Sequence, residues 1–488
     1  NMSDEMINSL AADVIGGTST PLTSPFSLPT TTTTSSSTIT PYQLPILYAD
    51  HTASSKPLRT IESYLTTTVL PLYGNTHTNT SLTGCQSTAF VAESRQIIAE
   101  CVGAHVTGKC AKDVVLFCGG VGVTSAVELL IDCLGVRFMD GDKKPIVLVG
   151  VYEHHSNLWP WRESGCEILT VKVAEDGVSL DLGHLQILLD AHAPIGRTSD
   201  RMIVGAFSAM SNLTGLMTPV STITRLLKNH SVLNFWDCAT AAPYLPLSMN
   251  TPGPPGLSHD ALYLSPHKLP GGPGTPGILI LKKHLVSTSL PPKKSGGGTV
   301  FWVTEGHHRF ISRRIERFEG GSPDVLGIVR AGLTFLRRRG IFQAFESVGG
   351  ITAYESRVHA RIAAQLRQAP NLLLLGVNPQ TNTAHAPIFS VLIKFPSTHK
   401  FLHYNYVCAI LNDLFGIQSR GGCMCAGPYA HHLLGITPSN SHALEHALLG
   451  SSKPEMLRPG FTRLNLGYTL REEEIEFVVK ALVWVSEH

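Results

Sequence analysis

Runs of apolar residues alternate with amphipathic stretches from about Val91 onward. The apolar runs are short and cover residues 114–118, 146–151, 168–173, 202–208 and 232–236. Stretches with the apolar spacing of a helix lie among them, at 93–102, 180–191 and 220–229. Buried strands that alternate with helices are typical of crossover connections, in which helices cover both faces of a mainly parallel sheet. The pattern therefore predicts an α/β fold.

The character of the chain changes after one further apolar run at 277–281. Residues 291–298 contain only proline, lysine, serine and glycine and predict a turn-rich bridge. A long helical pattern at 322–339 follows, and a smaller α+β region begins near Ile351. Strands are predicted in that region at 388–393 and 462–466. A chain of 488 residues is long enough for two or more such lobes.

The first 45 residues differ from the rest. They include a run of threonine and serine at 30–37 and five prolines, and no charged side chain occurs from Val14 to Ala49. This composition predicts a disordered tail over residues 1–45. An organellar presequence would carry arginines, whereas the first basic residue here is Lys56, so mitochondrial import is disfavoured.

Composition limits the classes of partner. The 38 basic and 36 acidic residues leave a net charge of +2, and only 15% of residues are charged, so nucleic acid and anionic membrane are not expected partners. Ten cysteines in a chain of this length do not form a disulfide framework and favour a reducing compartment. No apolar run reaches the roughly 18 to 20 residues of a membrane span. We expect an intracellular protein, with the cytoplasm favoured.

One lysine stands where covalent amine chemistry is expected. Lys268 follows an apolar strand pattern and precedes a glycine-rich turn, and Asp237 directly follows the apolar run at 232–236. Pyridoxal phosphate (PLP) chemistry needs an amine held against an aldehyde, and glycine lets the main chain approach the cofactor. Taken alone, a lysine beside glycines is more often a solvated loop residue. Asp237 would suit the pyridine nitrogen, or would simply cap the next turn.

Further motifs stand in a particular order along the chain. A glycine-rich loop at 119–125 opens a helical pattern at 126–134 and would suit phosphate, because a helix N-terminus presents free N–H groups. It is followed by Glu-His-His-Ser-Asn at 153–157, Ser-Asn-Leu-Thr-Gly at 211–215, Asp237, Lys268 and the Cys-x-Cys loop at 423–425. This order resembles the class V aminotransferase family of PLP-dependent enzymes, most closely its cysteine desulfurase-like branch.

The resemblance implies PLP fold type I. A large domain with a mainly parallel seven-stranded sheet between helices would carry the cofactor, and a smaller α+β domain would close over it. We expect a tail at 1–45, a segment at 46–90 that joins the small domain, the large PLP-binding domain at 91–320, a connecting helix at 321–350 and the small domain at 351–488. A C2 homodimer is implied, in which residues 296–299 and His77 reach the partner's cofactor.

The resemblance also assigns cofactor roles. Lys268 would be the Schiff-base lysine and the base that moves the substrate Cα proton. Asp237 would pair with the ring nitrogen, His154 would stack on the ring and Asn212 would contact the phenolic oxygen. The remaining expected cofactor contacts are Thr124, Ser125, Thr240, Ser265 and His267.

Three positions depart from the family pattern: Val123 replaces a threonine, Thr240 a glutamine and Thr78 an arginine. At these positions the chain lacks the side chain that makes the family contact. A metal site is not expected at Glu-His-His, because successive residues of an extended segment point apart, nor at an isolated Cys-x-Cys pair.

The resemblance assigns substrate binding and sulfur transfer to residues of the remaining motifs. Arg463 would bind the substrate carboxylate and His77 would line the site, while Cys425 would take sulfur from L-cysteine as a persulfide. Cys423 would relay sulfur or serve only in packing. A sulfur-acceptor protein is then a possible partner. Two alternatives stay open: another class V reaction, such as aminotransfer, elimination or epimerisation, that does not need Cys425, and a non-catalytic dimeric scaffold.

Overall fold

The computed structural model describes residues 2–17, 21–23, 43–78, 80–109, 111–120, 122–196, 201–251, 257–381, 383–398 and 400–488. About half of the predicted tail, at 18–20 and 24–42, and Val121 of the glycine-rich loop lie outside these residues. Within the described ranges, no helix is both long and apolar enough to cross a membrane.

The α-helices, α1 to α15 in chain order, are Met2–Asp13, Arg59–Tyr64, Leu82–Cys101, Val123–Cys133, His155–Glu163, Leu182–His192, Val220–Asn229, Arg314–Phe318, Val325–Ala344, Ile351–Leu366, Tyr404–Phe415, Gly427–Leu433, Pro438–Gly450, Pro454–Leu457 and Glu472–Glu487. The strands, β1 to β17, are Pro21–Thr23, Gln43–Pro45, Leu47–Tyr48, Asp113–Phe117, Ile146–Val149, Glu167–Thr170, Ile203–Ser208, Leu233–Asp237, Ala261–Leu264, Ile278–Lys282, Val300–Val303, His308–Phe310, Leu372–Leu374, Ile388–Ile393, Ile417–Gln418, Arg420–Gly422 and Phe461–Asn465.

The chain packs into two compact units. The small unit contains the described residues of Asn1–Lys56, Asn212–Leu216 and Ala344–His488. The large unit contains those of Pro57–Ser211 and Met217–Gln343.

The large unit is built on a seven-stranded sheet of order β4-β10-β9-β8-β7-β5-β6. Strands β9, β8, β7, β5 and β6 are parallel neighbours, and β10 runs antiparallel between β4 and β9. The central strands are mostly apolar because both faces are covered, and every residue of β7 is buried. The predicted α/β class with a mainly parallel seven-stranded sheet is confirmed.

The small unit has a four-stranded antiparallel sheet of order β13-β14-β17-β16. Helices α10, α11 and α15 pack on it around a core that includes Ile362, Phe389, Leu464 and Val478, all fully buried. Strand β3 pairs in parallel with β15 and brings the segment before Asp50 into this unit.

Two parts of the structure differ from the predicted domain boundaries. Helix α1 lies within the segment predicted as a disordered tail, because Ile7 and Leu10, three residues apart on one helix face, are buried. Residues 57–90, predicted with the small domain, belong to the large unit. There Arg330 of α9 donates two hydrogen bonds of 2.9 Å to Glu62 of α2, an ion pair that the sequence pattern does not record.

Candidate active site

In the large unit, Lys268 and Asp237 lie at the same edge of the sheet. Strands β8 and β9 are parallel neighbours, with Asp237 opposite Tyr263, and Lys268 follows β9 in a 3-10 turn, Pro266–Lys268. Lys268 Nζ donates to Thr240 Oγ1 at 3.4 Å. Since parallel strands end together at one edge, three predicted residues, Asp237, Thr240 and Lys268, are brought together.

The carboxylate of Asp237 is buried, with 5% of the residue exposed. It accepts a hydrogen bond of 2.8 Å from Ala239 N. Burial raises the pKa of Asp237, while this hydrogen bond and the positive charge of Lys268 oppose the rise. A buried carboxylate in this position can form an ion pair with a positively charged group that binds beside the amine of Lys268.

A narrow cradle forms where the glycine-rich loop meets the lysine turn. Val123 N, at the start of α4, donates to Ser265 Oγ at 3.0 Å. A Cβ on Gly122, whose φ is +58°, would lie 2.7 Å from Ser265 Oγ, and one on Gly277 would lie 2.0 Å from Gly122 O. His267 is beside this cradle, and burial, with Lys268 nearby, lowers the pKa of His267 to about 4. The cradle therefore consists of main-chain groups, a hydroxyl and a neutral imidazole.

His154 and Thr124 meet at a serine. Ser156 Oγ lies 2.7 Å from Thr124 Oγ1 and 3.1 Å from His154 Nδ1. His154 also caps α5, because its Nδ1 accepts from Ser156 N at 3.1 Å. His155 contacts the ring of Trp159 instead, with the two centroids 5.2 Å apart.

Ser125 lines a cavity of about 300 Å³ beside the glycine-rich loop. Gly119, Lys294 and Glu319 are among the other lining residues. The two adjacent hydroxyl residues of the loop, Thr124 and Ser125, thus have different surroundings.

A buried polar network beneath this edge was not predicted. Glu153 accepts from Ser208 Oγ at 2.6 Å and from Asn157 Nδ2 at 2.7 Å, and Tyr263 donates to Asn157 Oδ1 at 2.8 Å. Burial raises the pKa of Glu153 to about 7 against these hydrogen bonds. Its position directly before His154 was the only signal in the sequence.

In the small unit, the two cysteines of the Cys-x-Cys loop differ. Cys425 is exposed, whereas Cys423 is partly buried and donates to Pro459 O at 3.1 Å. Burial raises the pKa of Cys423. Met424 and Cys425 have φ values of 45° and 58°, in the left-handed region that residues other than glycine seldom adopt.

Arg463 lies on β17 in the same unit and is only 3% exposed. It donates to Asp50 Oδ1 at 2.8 Å and to Asn212 O at 2.9 Å. Burial lowers the pKa of Arg463, and Asp50 opposes this. Asp50 was missed by the sequence reasoning, although it is the first charged residue after the uncharged stretch that begins at Val14.

Asn212 also belongs to the small unit. Its Nδ2 donates to Met424 O at 2.8 Å, while its Oδ1 is buried and has no hydrogen-bond partner among the described residues. His77, in the large unit, is exposed, and its Nε2 lies 3.4 Å from Gly321 O of the same chain. A Cβ on Gly298 would come within 2.8 Å of the His77 ring.

Comparison with known proteins identifies the family. Residues 47–477 match the family described as Aminotransferase class-V, and the chain therefore belongs to this family. Members of the family are PLP-dependent enzymes, and this chain is accordingly an enzyme of that class. The predicted resemblance is confirmed.

Among curated relatives, a protein named "Cysteine desulfurase" from Pectobacterium atrosepticum is 26% identical over 398 residues, which cover 80% of this chain and 86% of the relative. A "Probable cysteine desulfurase" from Xylella fastidiosa is 26% identical over 323 residues, which cover 65% and 68%.

Two solved structures share the fold. One is the apo cysteine desulfurase from Thermococcus onnurineus, with a TM-score of 0.69 and 22% identity over 91% of this chain and 95% of that one. The other is the cysteine desulfurase CsdA from Escherichia coli, with a TM-score of 0.66 and 19% identity over 90% and 94%.

Proposed function

We propose that this protein is a cysteine desulfurase-like enzyme that binds PLP through Lys268 and transfers sulfur from L-cysteine to Cys425. The observation that carries the proposal is the amine of Lys268 at the sheet edge, beside the buried carboxylate of Asp237. The names of the curated relatives support L-cysteine as the substrate.

The residues of the large unit fit the cofactor. A Cβ at Gly122 would lie 2.7 Å from Ser265 Oγ, so glycine lets the hydroxyl of the lysine turn come close to the start of α4. A helix N-terminus with a hydroxyl beside it suits an anion. Hydroxyl and imidazole donors suit a phosphate. The residues of this unit that would hold PLP are Lys268, Asp237, His154, Thr124, Ser125, Thr240, Ser265 and His267.

When bound, PLP would supply an electron-accepting ring that stabilises negative charge at the substrate Cα. Asp237 would keep a proton on the pyridine nitrogen by charge pairing, and its burial strengthens that interaction. Lys268 Nζ would take and return the Cα proton. The guanidinium of Arg463 would bind the substrate carboxylate, and His77 would line the site.

The sulfur step is assigned to Cys425. Its thiolate would attack the sulfur of L-cysteine, and the Cβ–S bond of the substrate would break. The electron pair of that bond stays with Cβ, protonation there yields alanine, and the transferred sulfur remains on Cys425 as a persulfide. The exposure of Cys425 suits this role, and it also suits later delivery of the sulfur to an acceptor protein.

The test combines two readouts. Visible absorbance of the protein with added PLP should show a band that Lys268→Ala loses. Sulfide release from L-cysteine should be lost in both Lys268→Ala and Cys425→Ser. The matched control is Cys423→Ser, which removes the neighbouring, partly buried thiol of the same loop and should retain more sulfide release than Cys425→Ser.

Other outcomes would point to the alternatives. A lysine-dependent band without sulfide release, or with release that Cys425→Ser leaves intact, would move the assignment to another class V reaction. If no visible absorbance band appeared with added PLP, the non-catalytic scaffold would be the remaining alternative. We also propose a homodimer, for which sedimentation should give twice the chain mass of 52.7 kDa.

A further inference from the structure

The loop that carries Cys425 has an unusual main chain. It leaves β16 at Gly422, whose φ is 111°, and then passes through Met424 and Cys425, both at positive φ. Residues other than glycine keep this conformation only where surrounding contacts hold them in it. Some group outside the loop must therefore fix its shape.

The carboxylate of Asp50 contacts the strand that leads into the loop. Arg420, the first residue of β16, donates from Nε to Asp50 Oδ2 at 2.7 Å. The other oxygen, Oδ1, accepts from Arg463 Nη2 at 2.8 Å. Arg420 and Arg463 are directly opposite each other on the antiparallel strands β16 and β17, where two like charges repel unless an anion lies between them.

A second route leads from Asp50 to the loop itself. Arg463 Nη1 donates to Asn212 O at 2.9 Å, and Asn212 Nδ2 donates to Met424 O at 2.8 Å. The loop carbonyl that is held in this way belongs to the residue directly before Cys425. The carboxylate of Asp50 is thus connected both to the strand that leads into the loop and to the middle of the loop.

The main chain directly before Asp50 is well anchored. Ala49 N donates to Gln418 O at 2.9 Å, and Asn465 N donates to Ala49 O at 2.7 Å. Only 9% of the Asp50 side chain is exposed, so its charge is poorly screened by water. A fixed, poorly screened carboxylate can hold two guanidinium groups in fixed positions.

We propose that Asp50 is a positioning residue for the Cys425 loop, acting through Arg420 on one side and through Arg463 and Asn212 on the other. The importance of the loop rests on the proposed function, whereas the connection between Asp50 and the loop does not. Removal of the Asp50 charge should release the loop while the rest of the small unit stays folded.

The test is hydrogen–deuterium exchange of the full-length protein with PLP, followed by mass spectrometry. In Asp50→Asn, the amides of residues 420–427 should exchange about tenfold faster or more, because a truncated buried ion pair leaves charges uncompensated. The amides of β14, in the core of the small unit, should change much less. Sulfide release should lose kcat, while the visible absorbance of bound PLP should persist.

The control is Glu472→Gln, in a more exposed ion pair of the same unit. It breaks another acid–arginine pair of the small unit, with Arg361 Nη2 at 2.9 Å, without contact to the loop. If exchange at 420–427 rises equally in both variants, or rises uniformly with β14 in Asp50→Asn, Asp50 is only a counter-ion of buried Arg463 and the proposal is overturned.

A second, less disruptive variant tests the proposal if Asp50→Asn does not fold. The side chain of Arg420 is 51% exposed, so Arg420→Gln should fold and should still accelerate exchange at 420–427. Unchanged exchange in that variant would overturn the route through Arg420. Because exchange needs no turnover, a protein that releases no sulfide would refute the proposed function and leave this test intact.

Discussion

Ser265 Oγ accepts a hydrogen bond from Val123 N at 3.0 Å and so joins the lysine turn to the start of α4. The two residues are 142 positions apart in the chain. This bond brings a hydroxyl of one predicted motif to the N–H groups of another, as a phosphate cradle requires.

We expect Ser265→Ala to weaken PLP binding on the order of tenfold, because it removes the proposed donor to the phosphate and the partner of Val123 N. Titration of the apo protein with PLP, followed by visible absorbance, measures the dissociation constant. Ser164→Ala is the control, since Ser164, directly after α5, donates from Oγ to Pro160 O of that helix. An unchanged constant in Ser265→Ala would exclude Ser265 from the cradle.

Gly277 should not tolerate even a methyl group. A Cβ there would meet the main-chain oxygen of Gly122 at 2.0 Å, and main-chain atoms cannot move aside as a side chain can. Gly277→Ala should lower the free energy of unfolding by about 1–3 kcal/mol, as overpacking of a close-packed region does. Thermal unfolding measures the loss.

Gly296→Ala is the matched control for this substitution, because its Cβ would meet nothing within 4 Å. We expect its melting temperature to stay close to that of the unsubstituted chain. Equal melting temperatures of the two variants would show that Gly277 and the main chain at Gly122 are not packed as closely as described.

Glu355 makes the stability of the small unit dependent on pH. Its side chain is fully buried, it accepts from Tyr468 N at 2.7 Å, and burial raises the pKa of Glu355 to about 8. Between about pH 4.5 and 8 the folded state holds this proton more tightly than the unfolded state. Stability should therefore fall as pH rises through this window, by at most about 1.4 kcal/mol per pH unit from this group.

Glu355→Gln should remove this pH dependence, since an amide does not ionise in the window. Chemical denaturation at pH 6 and at pH 8 would compare the two proteins. The same loss of stability with pH in both would assign the effect to other groups.

Thiol labelling should separate the cysteines by burial. Cys85 and Cys425 are exposed, whereas Cys118 and Cys133 are buried and burial raises the pKa of both buried thiols. Iodoacetamide at pH 7 should modify the first pair in the folded protein and the second pair only after unfolding, because the thiolate is the reactive form. Peptide mass spectrometry identifies the sites, and rapid labelling of Cys118 in the folded protein would contradict the described packing.

Much of the large unit could be predicted because burial on both faces of a parallel sheet leaves uninterrupted apolar runs. The runs at 114–118, 202–208 and 232–236 correspond to β4, β7 and β8 within one or two residues. Helix α7 has the predicted bounds, because its apolar positions recur at helical spacing on one face.

The N-terminal region was predicted less well. Helix α1 was missed because the Thr, Ser and Pro content of the following segment dominated the prediction for residues 1–45. The boundary between the units, at Lys56, depends on which distant side chains residues 57–90 contact, and composition carries no such information.

The sequence by itself determined the α/β class, the position of Lys268 after a strand and of Asp237 at the end of its neighbour, because these follow from local periodicity and from the shared edge of parallel strands. Only the tertiary structure decided that Asp50 lies between Arg420 and Arg463, residues 370 and 413 positions away. Apolar patterns record which residues are buried, but they do not record which polar atoms meet once distant segments have packed together.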